Sequence, residues 1–211
     1  MNALESCFLY GIVDLSYVAS DQVAIVTSRL IEGGADILQL RAKEFSKSQI
    51  LNFAKAMVPV TRSAGVPLIL NDYPDLLRDV DADGCHVGQE DFGIDQAREM
   101  AGRKCIVGRS THTVAQAASA ANEGADYIGF GPLFSTATKP NAAAIGLADI
   151  RVLHDQVKLP IFCIGGVKLA NLPMILGAGC KRICIVSDLL LADDVVKHTA
   201  EVKSVLLNRP G

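Results

Sequence analysis

Two stretches of the sequence end short apolar runs with carboxylates. The first, 67–72, reads Pro-Leu-Ile-Leu-Asn-Asp and ends on Asp72; the second, 84–91, reads Gly-Cys-His-Val-Gly-Gln-Glu-Asp and ends on Asp91. Buried strands that end in this way bring both carboxylates to one edge of a sheet. Two oxygen ligands with room left for water and phosphate oxygens are typical of a Mg²⁺ site that bridges to a substrate. The same residues also fit a structural role, in which Asp72 caps a helix and Asp91 lies in a turn. The other polar residues are therefore needed to choose between a metal site and this structural role.

Cationic side chains alternate with apolar ones in the segment 39–43, which reads Gln-Leu-Arg-Ala-Lys. In an extended chain Gln39, Arg41 and Lys43 share one face, and the side chains between them take the other. Arg41 offers a planar fork to phosphate oxygens and Lys43 a point charge. The pattern therefore indicates a phosphate-binding face, although a solvent-exposed loop between strand and helix would have the same composition.

Two further segments can bind anions. The segment 136–139, Thr-Ala-Thr-Lys, can offer hydroxyls, backbone N–H groups and an ammonium, or it is a solvated loop. Gly165-Gly166 and Val186-Ser187 each follow an apolar run, and glycine there lets the backbone approach a phosphate. The sequence thus predicts that two anionic ligands bind at the same edge of the sheet, where the strands end.

An evident pair of nucleophile and base is missing from this set. Among the histidines, His154 and His198 fall in helical segments and are expected in solvent, and His86 lies inside an apolar run and is expected to be structural. His112 follows a strand and is a candidate base or substrate contact. A metal, several cations and two anions with little acid–base help indicate substitution at carbon, with pyrophosphate as the leaving group.

Eight apolar runs alternate with segments of helical spacing. Continuous apolar strands are typical of parallel sheets covered on both faces. Eight alternations without a linker predict a single (β/α)₈ barrel over residues 1–211, with an open doubly wound sheet as the alternative. Ser20 and Asp21 are expected to cap the first helix, and Ser46 precedes the second. The predicted strands are 8–14, 37–41, 68–71, 84–87, 105–108, 127–131, 161–164 and 183–186. The predicted helices are 23–31, 49–57, 74–80, 94–100, 114–123, 147–157, 172–176 and 195–207.

Composition excludes several classes of protein. Half of the 211 residues are hydrophobic and the net charge is −3 with no basic block, so a nucleic-acid partner is not expected. The chain has neither an apolar run near the ~18 residues of a membrane span nor a signal-peptide pattern. The six cysteines form no CxxC pair, which favours reduced thiols in the cytoplasm. We expect a cytoplasmic enzyme of small-molecule substrates, compatible with a homo-oligomer.

The sequence resembles the thiamine-phosphate synthase family from end to end. The shared motifs are Gln-Leu-Arg-Ala-Lys at 39–43, Asn-Asp at 71–72, 82–91, Ser-Thr-His at 110–112, 124–132, Thr-Ala-Thr-Lys at 136–139, Ile-Gly-Gly-Val at 164–167 and Val-Ser at 186–187. The resemblance implies a (β/α)₈ barrel that joins hydroxymethylpyrimidine diphosphate to a thiazole phosphate, giving thiamine phosphate and pyrophosphate, with Mg²⁺ as cofactor.

The resemblance also implies roles for individual residues. Asp72 and Asp91 would hold Mg²⁺, and Ser110 would lie over the pyrimidine. The catalytic residues would be Arg41, Lys43, Ser110 and Lys139. The pyrimidine diphosphate would contact Gln39, Arg41, Lys43, Asn71 and Lys139, within a segment that includes Leu40 and Ala42. The thiazole would contact Thr136, Ala137 and Thr138, and its phosphate the backbone of Gly166, Val186 and Ser187.

Two positions depart from the family pattern, and three other functions compete. Tyr73 stands where the family often has Arg, and Arg109 stands where an apolar residue is usual and could add a phosphate contact. A thiazole tautomerase shares the fold and the thiazole pocket but needs neither Mg²⁺ nor diphosphate-binding cations; His112 would be its base. A non-catalytic binding protein and an unrelated phosphate-binding isomerase are the other candidates. The full set of charged residues favours the synthase.

Overall fold

Eight parallel strands close into a barrel in the computed structural model, which describes residues 4–136 and 143–208. Each strand pairs with the next along the chain, and β8 closes on β1 with Tyr10 opposite Cys184. This arrangement confirms the predicted (β/α)₈ fold, and β5 continues past its predicted end. The strands are β1 (Leu9–Asp14), β2 (Ile37–Arg41), β3 (Leu68–Asn71), β4 (Gly84–Val87), β5 (Ile106–Thr111), β6 (Tyr127–Phe130), β7 (Ile161–Cys163) and β8 (Arg182–Ile185).

Helices cover the outside of the barrel. Among the described residues none of them is both long and apolar enough to cross a bilayer. The connection after β3 is a 3₁₀ turn, Pro74–Arg78, in place of a full helix, and a short helix after β8 was not predicted. The helices are α1 (Val23–Glu32), α2 (Lys47–Ala64), α3 (Ile94–Ala101), α4 (Val114–Asn122), α5 (Ile150–Gln156), α6 (Leu172–Gly177), α7 (Ser187–Leu190) and α8 (Val195–Leu207).

The start of α2 follows its sequence signal and the start of α1 does not. Ser46 and Gln49 form a reciprocal capping box in which the Gln49 N–H donates to Ser46 Oγ. The predicted cap of α1 was wrong, because Ser20 and Asp21 belong to a 3₁₀ turn, Ser20–Gln22, that runs into the helix and supplies no side-chain cap. The preceding turn already gives hydrogen-bond partners to some of the backbone N–H groups that a cap side chain would otherwise satisfy.

The core has two layers, because neighbouring residues of a strand point to opposite faces. Leu38, Leu40 and similar residues pack between the barrel and the helices. Inside the barrel, the rings of Tyr10, Tyr127 and Phe162 meet edge to face, with centroids 5.2 to 5.8 Å apart. These three rings pack in the barrel interior with other buried side chains, and they form part of the lining of a cavity at its carboxyl-terminal end.

At the amino-terminal end of the barrel, three aspartates form hydrogen bonds that connect β2, β4 and β6 to the strands before them, β1, β3 and β5. Asp36, Asp83 and Asp126 each lie directly before an even strand. Asp36 accepts the N–H groups of Phe8 and Leu9. Asp83 accepts that of Leu68 at 2.8 Å, and Asp126 that of Val107 at 2.8 Å. The repetition of Asp at this position thus pins the starting end of one strand to the next.

Replacing Asp126 with Ala should lower the free energy of unfolding by about 1–3 kcal/mol, because the Val107 N–H loses its acceptor in a partly buried setting. The change also removes the 2.8 Å ion pair with Arg98. Urea denaturation measures the loss. Asp126→Asn keeps an acceptor and should lose less, and Asp155→Ala, at an exposed position on α5, should change little. Equal stability of the Asp126→Ala variant and the wild type would contradict the anchoring role.

Candidate active site

A cavity opens at the carboxyl-terminal ends of the strands, above the three aromatic rings. The strand pattern explains its polar lining, since the last inward-facing residue of each strand lies at this rim. The structure brings together here many of the residues singled out from the sequence: Gln39, Arg41, Asn71, Ser110, Thr136, Gly166, Val186 and Ser187. These residues come from distant parts of the chain and meet only through barrel closure.

Other predicted site residues lie elsewhere. The side chains of Leu40 and Ala42 pack in the outer core, so a ligand in the cavity would meet only their backbone. Lys43 lies on the rim, 3.4 Å from Asp72, and Asp91 is exposed nearby. The predictions for Ala137, Thr138 and Lys139 fall outside the described residues.

Arg41 is held by a residue that the sequence analysis missed. Its Nη1 lies 2.5 Å from Oδ2 of Asp14, whose side chain is 1% exposed, while that of Arg41 is 12% exposed. Asp14 ends β1 and also accepts the N–H of Ser16. The rule that selected Asp72, a carboxylate at the end of an apolar strand, would have selected Asp14 as well. The pair fixes the guanidinium at the cavity wall.

Asp72 lies at the rim within the electrostatic influence of both Lys43 and Asp91. Burial raises the pKa of Asp72 above its ordinary 3.8, the Asp91 carboxylate raises it further, and Lys43 lowers it. Asp72 has φ 68°, a left-handed conformation that is unusual for a residue other than glycine and clusters at functional sites. Asp91 Oδ2 accepts the Gly88 N–H at 2.6 Å. The Asp91 carboxylate is therefore held by the backbone of its own loop, and the Asp72 carboxylate pairs with Lys43.

The loop that carries Asp91 is fastened to β5. Gln89 Nε2 donates to the Ser110 carbonyl at 2.6 Å. Arg109 donates to the carbonyls of Phe92 at 2.5 Å and Gln89 at 3.3 Å. The Arg109 side chain points to the outside of the strand, opposite to Ser110, and it is absent from the cavity lining. Arg109, which departs from the family pattern, therefore lies behind the loop that carries Asp91 and does not face the cavity.

The Gly165-Gly166 turn forms the opposite wall of the cavity, beside the first turn of α7. Gly165 and Gly166 have φ 96° and 64°. A Cβ at Gly165 would lie 2.3 Å from Pro132, and one at Gly166 would lie 2.7 Å from Phe134. Because both the backbone angles and the packing exclude a side chain, the wall presents backbone to the cavity.

A chain of hydrogen bonds joins side chains that line the cavity. Gln39 Nε2 donates to the Tyr10 hydroxyl at 2.7 Å, and that hydroxyl lies 2.9 Å from the Tyr127 hydroxyl. His86 lies 3.0 Å from the Tyr127 hydroxyl through Nδ1 and 2.9 Å from Ser110 Oγ through Nε2. The expected structural role of His86 was thus incomplete, and the two tyrosines were missed because they read as ordinary residues of apolar strands.

The other histidines differ from expectation in their surroundings. His112 lines the cavity, and its Nδ1 donates to the Gly131 carbonyl. His154 and His198 were predicted in solvent, and both are partly buried instead. Burial lowers the pKa of His154 to about 4, whereas His198 lies 2.9 Å from Asp188. Helical spacing alone does not reveal which neighbouring helix covers a histidine.

The family model and the sequence relatives indicate one family. The family model described as thiamine monophosphate synthase matches residues 9–189. The thiamine-phosphate synthase of Halalkalibacterium halodurans is 39% identical over 96% of both chains. That of Chloroflexus aurantiacus is 40% identical over 94% of this chain and 92% of its own. The structure of thiamine phosphate pyrophosphorylase from Pyrococcus furiosus superposes with a TM-score of 0.88 at 31% identity, covering 100% of this chain and 98% of the other.

Proposed function

The chain belongs to the thiamine monophosphate synthase family, a family of transferases in thiamine biosynthesis, and from that premise we propose that it joins hydroxymethylpyrimidine diphosphate to a thiazole phosphate. The products are thiamine phosphate and pyrophosphate. One observation carries the proposal: a cavity has a fixed arginine, Arg41, and a backbone-lined wall at Gly165 and Gly166, and Asp72 with Lys43 lies at its rim near Asp91. Such a site suits two anionic substrates that react with each other.

Different residues of the site would bind the two substrates. Arg41, oriented by Asp14, and Lys43 at the rim face the side where a diphosphate would be bound. Gly166 and Ser187 line the other side, where backbone N–H groups can approach the phosphate of the thiazole. Holding both reactants in one cavity converts an encounter of two molecules into a reaction within a complex.

The reaction would need electrostatic help rather than acid–base catalysis. As the bond between the pyrimidine methylene carbon and the diphosphate oxygen breaks, its electron pair leaves with the diphosphate, and the aminopyrimidine stabilises the cationic carbon. The lone pair of the thiazole nitrogen then forms the new carbon–nitrogen bond. Arg41 and Lys43 would counter the charge that grows on the leaving diphosphate. No proton has to move in this step, and no enzyme nucleophile is required.

The carboxylates fit a divalent cation. Asp72 and Asp91 would supply hard oxygen ligands, and a cation that they held would offset the unfavourable effect of the Asp91 charge on ionised Asp72. Among the described residues no group of three or more His, Cys, Asp or Glu is arranged as a metal cage, which agrees with a site completed by water and substrate oxygens. Mg²⁺ bound there would supply further charge neutralisation for the diphosphate.

The tautomerase alternative shares the thiazole side of the cavity. It would use His112 as a base, and because Nδ1 of His112 donates to the Gly131 carbonyl, Nε2 is the atom that would accept the proton. It would also leave Arg41, Asp72 and Asp91 without a role. We therefore place it second.

Product formation tests the proposed function. Purified protein incubated with hydroxymethylpyrimidine diphosphate and thiazole phosphate should release thiamine phosphate and pyrophosphate in equal amounts, and only with Mg²⁺ present. Lys139→Ala should lose most of this activity. Isomerisation of a thiazole phosphate without any pyrimidine diphosphate, abolished by His112→Ala, would favour the tautomerase instead.

A further inference from the structure

The loop that follows β7 lines the cavity mainly with its backbone. Gly165, Gly166 and Val167 all belong to the cavity lining. The two glycines have no side chain, and the side chain of Val167 is 5% exposed and packs in the outer core. The direction of the peptide groups in this loop therefore decides whether a ligand meets N–H donors or carbonyl acceptors.

Two successive carbonyl groups of the loop are bound by partners outside the cavity lining. The Gly165 carbonyl accepts the Phe134 N–H at 3.0 Å. The Gly166 carbonyl accepts from Nδ2 of Asn171 at 2.9 Å. Neither Phe134 nor Asn171 lines the cavity. Both carbonyl groups therefore point away from the space where a ligand would bind.

The N–H groups of the same two peptides point the other way, because the C=O and N–H of a planar trans peptide have opposite directions. These N–H groups belong to Gly166 and Val167. Among the described residues no acceptor binds either of them. Successive backbone N–H groups that share one direction form a concave site for an anion. The loop thus offers two adjacent donors to a phosphate in the cavity.

The second of these peptides depends on a single side chain. The amide of Asn171 donates to the Gly166 carbonyl through Nδ2, and its Oδ1 accepts the Lys168 N–H at 2.8 Å. These two bonds hold the peptide groups on both sides of Val167. Asn171 itself ends a short 3₁₀ turn, Leu169–Asn171, and is partly buried.

The rest of the loop has other anchors. Phe134 holds the Gly165 carbonyl through its backbone. Asp188, in the first turn of α7, accepts the Leu169 N–H at 3.0 Å and lies 2.9 Å from Nε2 of His198 on α8. Loss of the Asn171 amide would therefore release only the peptides that flank Val167, while both ends of the loop stay in place.

We propose that Asn171 is a positioning residue whose amide keeps the Gly166 carbonyl turned away from the cavity and the Val167 N–H turned toward the phosphate of the thiazole. The proposal rests on the proposed function for the identity of this ligand. Without Asn171, the Gly166 carbonyl loses its donor. Because glycine permits a wide range of backbone angles, the peptide could then rotate and bring a carbonyl oxygen against the phosphate. The loss should therefore fall on the phosphate and not on the thiazole ring.

Calorimetry tests this role without any turnover. The ligands are thiazole phosphate and the corresponding thiazole alcohol, which lacks the phosphate, and the wild type should bind the phosphate form more tightly. Asn171→Ala should reduce this advantage roughly 10- to 100-fold, since a donor to a charged oxygen is lost, and should leave the affinity for the alcohol unchanged. A general disturbance of the fold would weaken the binding of both ligands alike.

Gln49→Ala is the matched control. Gln49 Oε1 accepts the Ser46 N–H at 3.0 Å, which is the same kind of bond that Asn171 Oδ1 forms with Lys168, but Gln49 lies at the start of α2 and does not line the cavity. This variant should keep the full advantage of the phosphate form. An Asn171→Ala variant that also keeps it would overturn the proposal, as would a wild type without such an advantage.

NMR of the wild type gives a second test that needs no variant. The amide signals of Gly166 and Val167 should move when thiazole phosphate is added and stay in place when the alcohol is added. A Val167 signal that does not respond to bound thiazole phosphate would overturn the proposal. If both binding experiments give the expected results but the wild type forms no thiamine phosphate, the proposed function is wrong and the role of Asn171 stands.

Discussion

Replacing Asp91 with Asn should lower the rate of thiamine phosphate formation about 10²- to 10³-fold, because the change removes one of two charged ligands that would hold Mg²⁺ against the leaving diphosphate. The concentration of Mg²⁺ needed for half-maximal rate should rise as well. The assay is pyrophosphate release over a Mg²⁺ titration. Glu90→Gln is the matched control, since it removes the same charge one residue away at an exposed position. An Asp91→Asn variant with the rate and Mg²⁺ requirement of the wild type would remove the metal assignment.

The stability of the same variant adds a second test of the metal assignment. A carboxyl whose pKa is raised in the folded protein binds more protons folded than unfolded, so its contribution to the free energy of unfolding falls as pH rises above 3.8, its ordinary value. Ionised Asp72 is therefore destabilising at neutral pH, and a bound cation offsets this. The rise in Tm produced by Mg²⁺ should be larger at neutral pH than in acid, and it should be small in Asp91→Asn. A Mg²⁺ effect independent of pH would contradict this.

Replacing Asp14 with Ala should lower the free energy of unfolding by up to about 3 kcal/mol, since it leaves the partly buried Arg41 guanidinium without its counter-ion. The same change should reduce kcat/KM at least tenfold, because Arg41 loses the contact that orients it toward the diphosphate. Asp14→Asn keeps an acceptor and should lose less stability. Urea denaturation and steady-state kinetics measure the two effects.

Two comparisons separate stability from catalysis. Replacing both Asp14 and Arg41 with Leu should restore much of the stability, because no charge is left buried, while activity stays low. Asp75→Ala breaks the 2.6 Å pair with Lys47, whose side chain is 55% exposed, and should change stability by no more than about 1 kcal/mol. Full activity in the doubly substituted protein would contradict the role given to Arg41.

Much of the fold could be predicted from local pattern. The strands of a (β/α)₈ barrel are covered on both faces, so each one reads as a continuous apolar run, and seven of the eight predicted runs lie within a residue of β1–β4 and β6–β8. The strand ends carry the site, and polar residues after each run therefore marked Gln39, Arg41, Asn71 and Ser110 correctly as neighbours of one cavity. The wrong cap at Ser20 and the unpredicted α7 show that turns and helices of a few residues have too short a sequence pattern to be predicted. Their conformation depends on the residues that pack against them.

The sequence by itself determined the barrel, the family and the residue types at the rim, because burial on both faces and motif spacing are properties of neighbouring residues. Only the tertiary structure decided which groups touch. Tyr10 and Tyr127 are 117 residues apart and share a hydrogen bond, and Asp14 meets Arg41 across paired strands. It also decided that His154 and His198 are partly covered and that Leu40 faces the helices. Contacts of this kind depend on strand register and barrel closure, which place residues from distant parts of the chain within a few ångströms and leave no local signature.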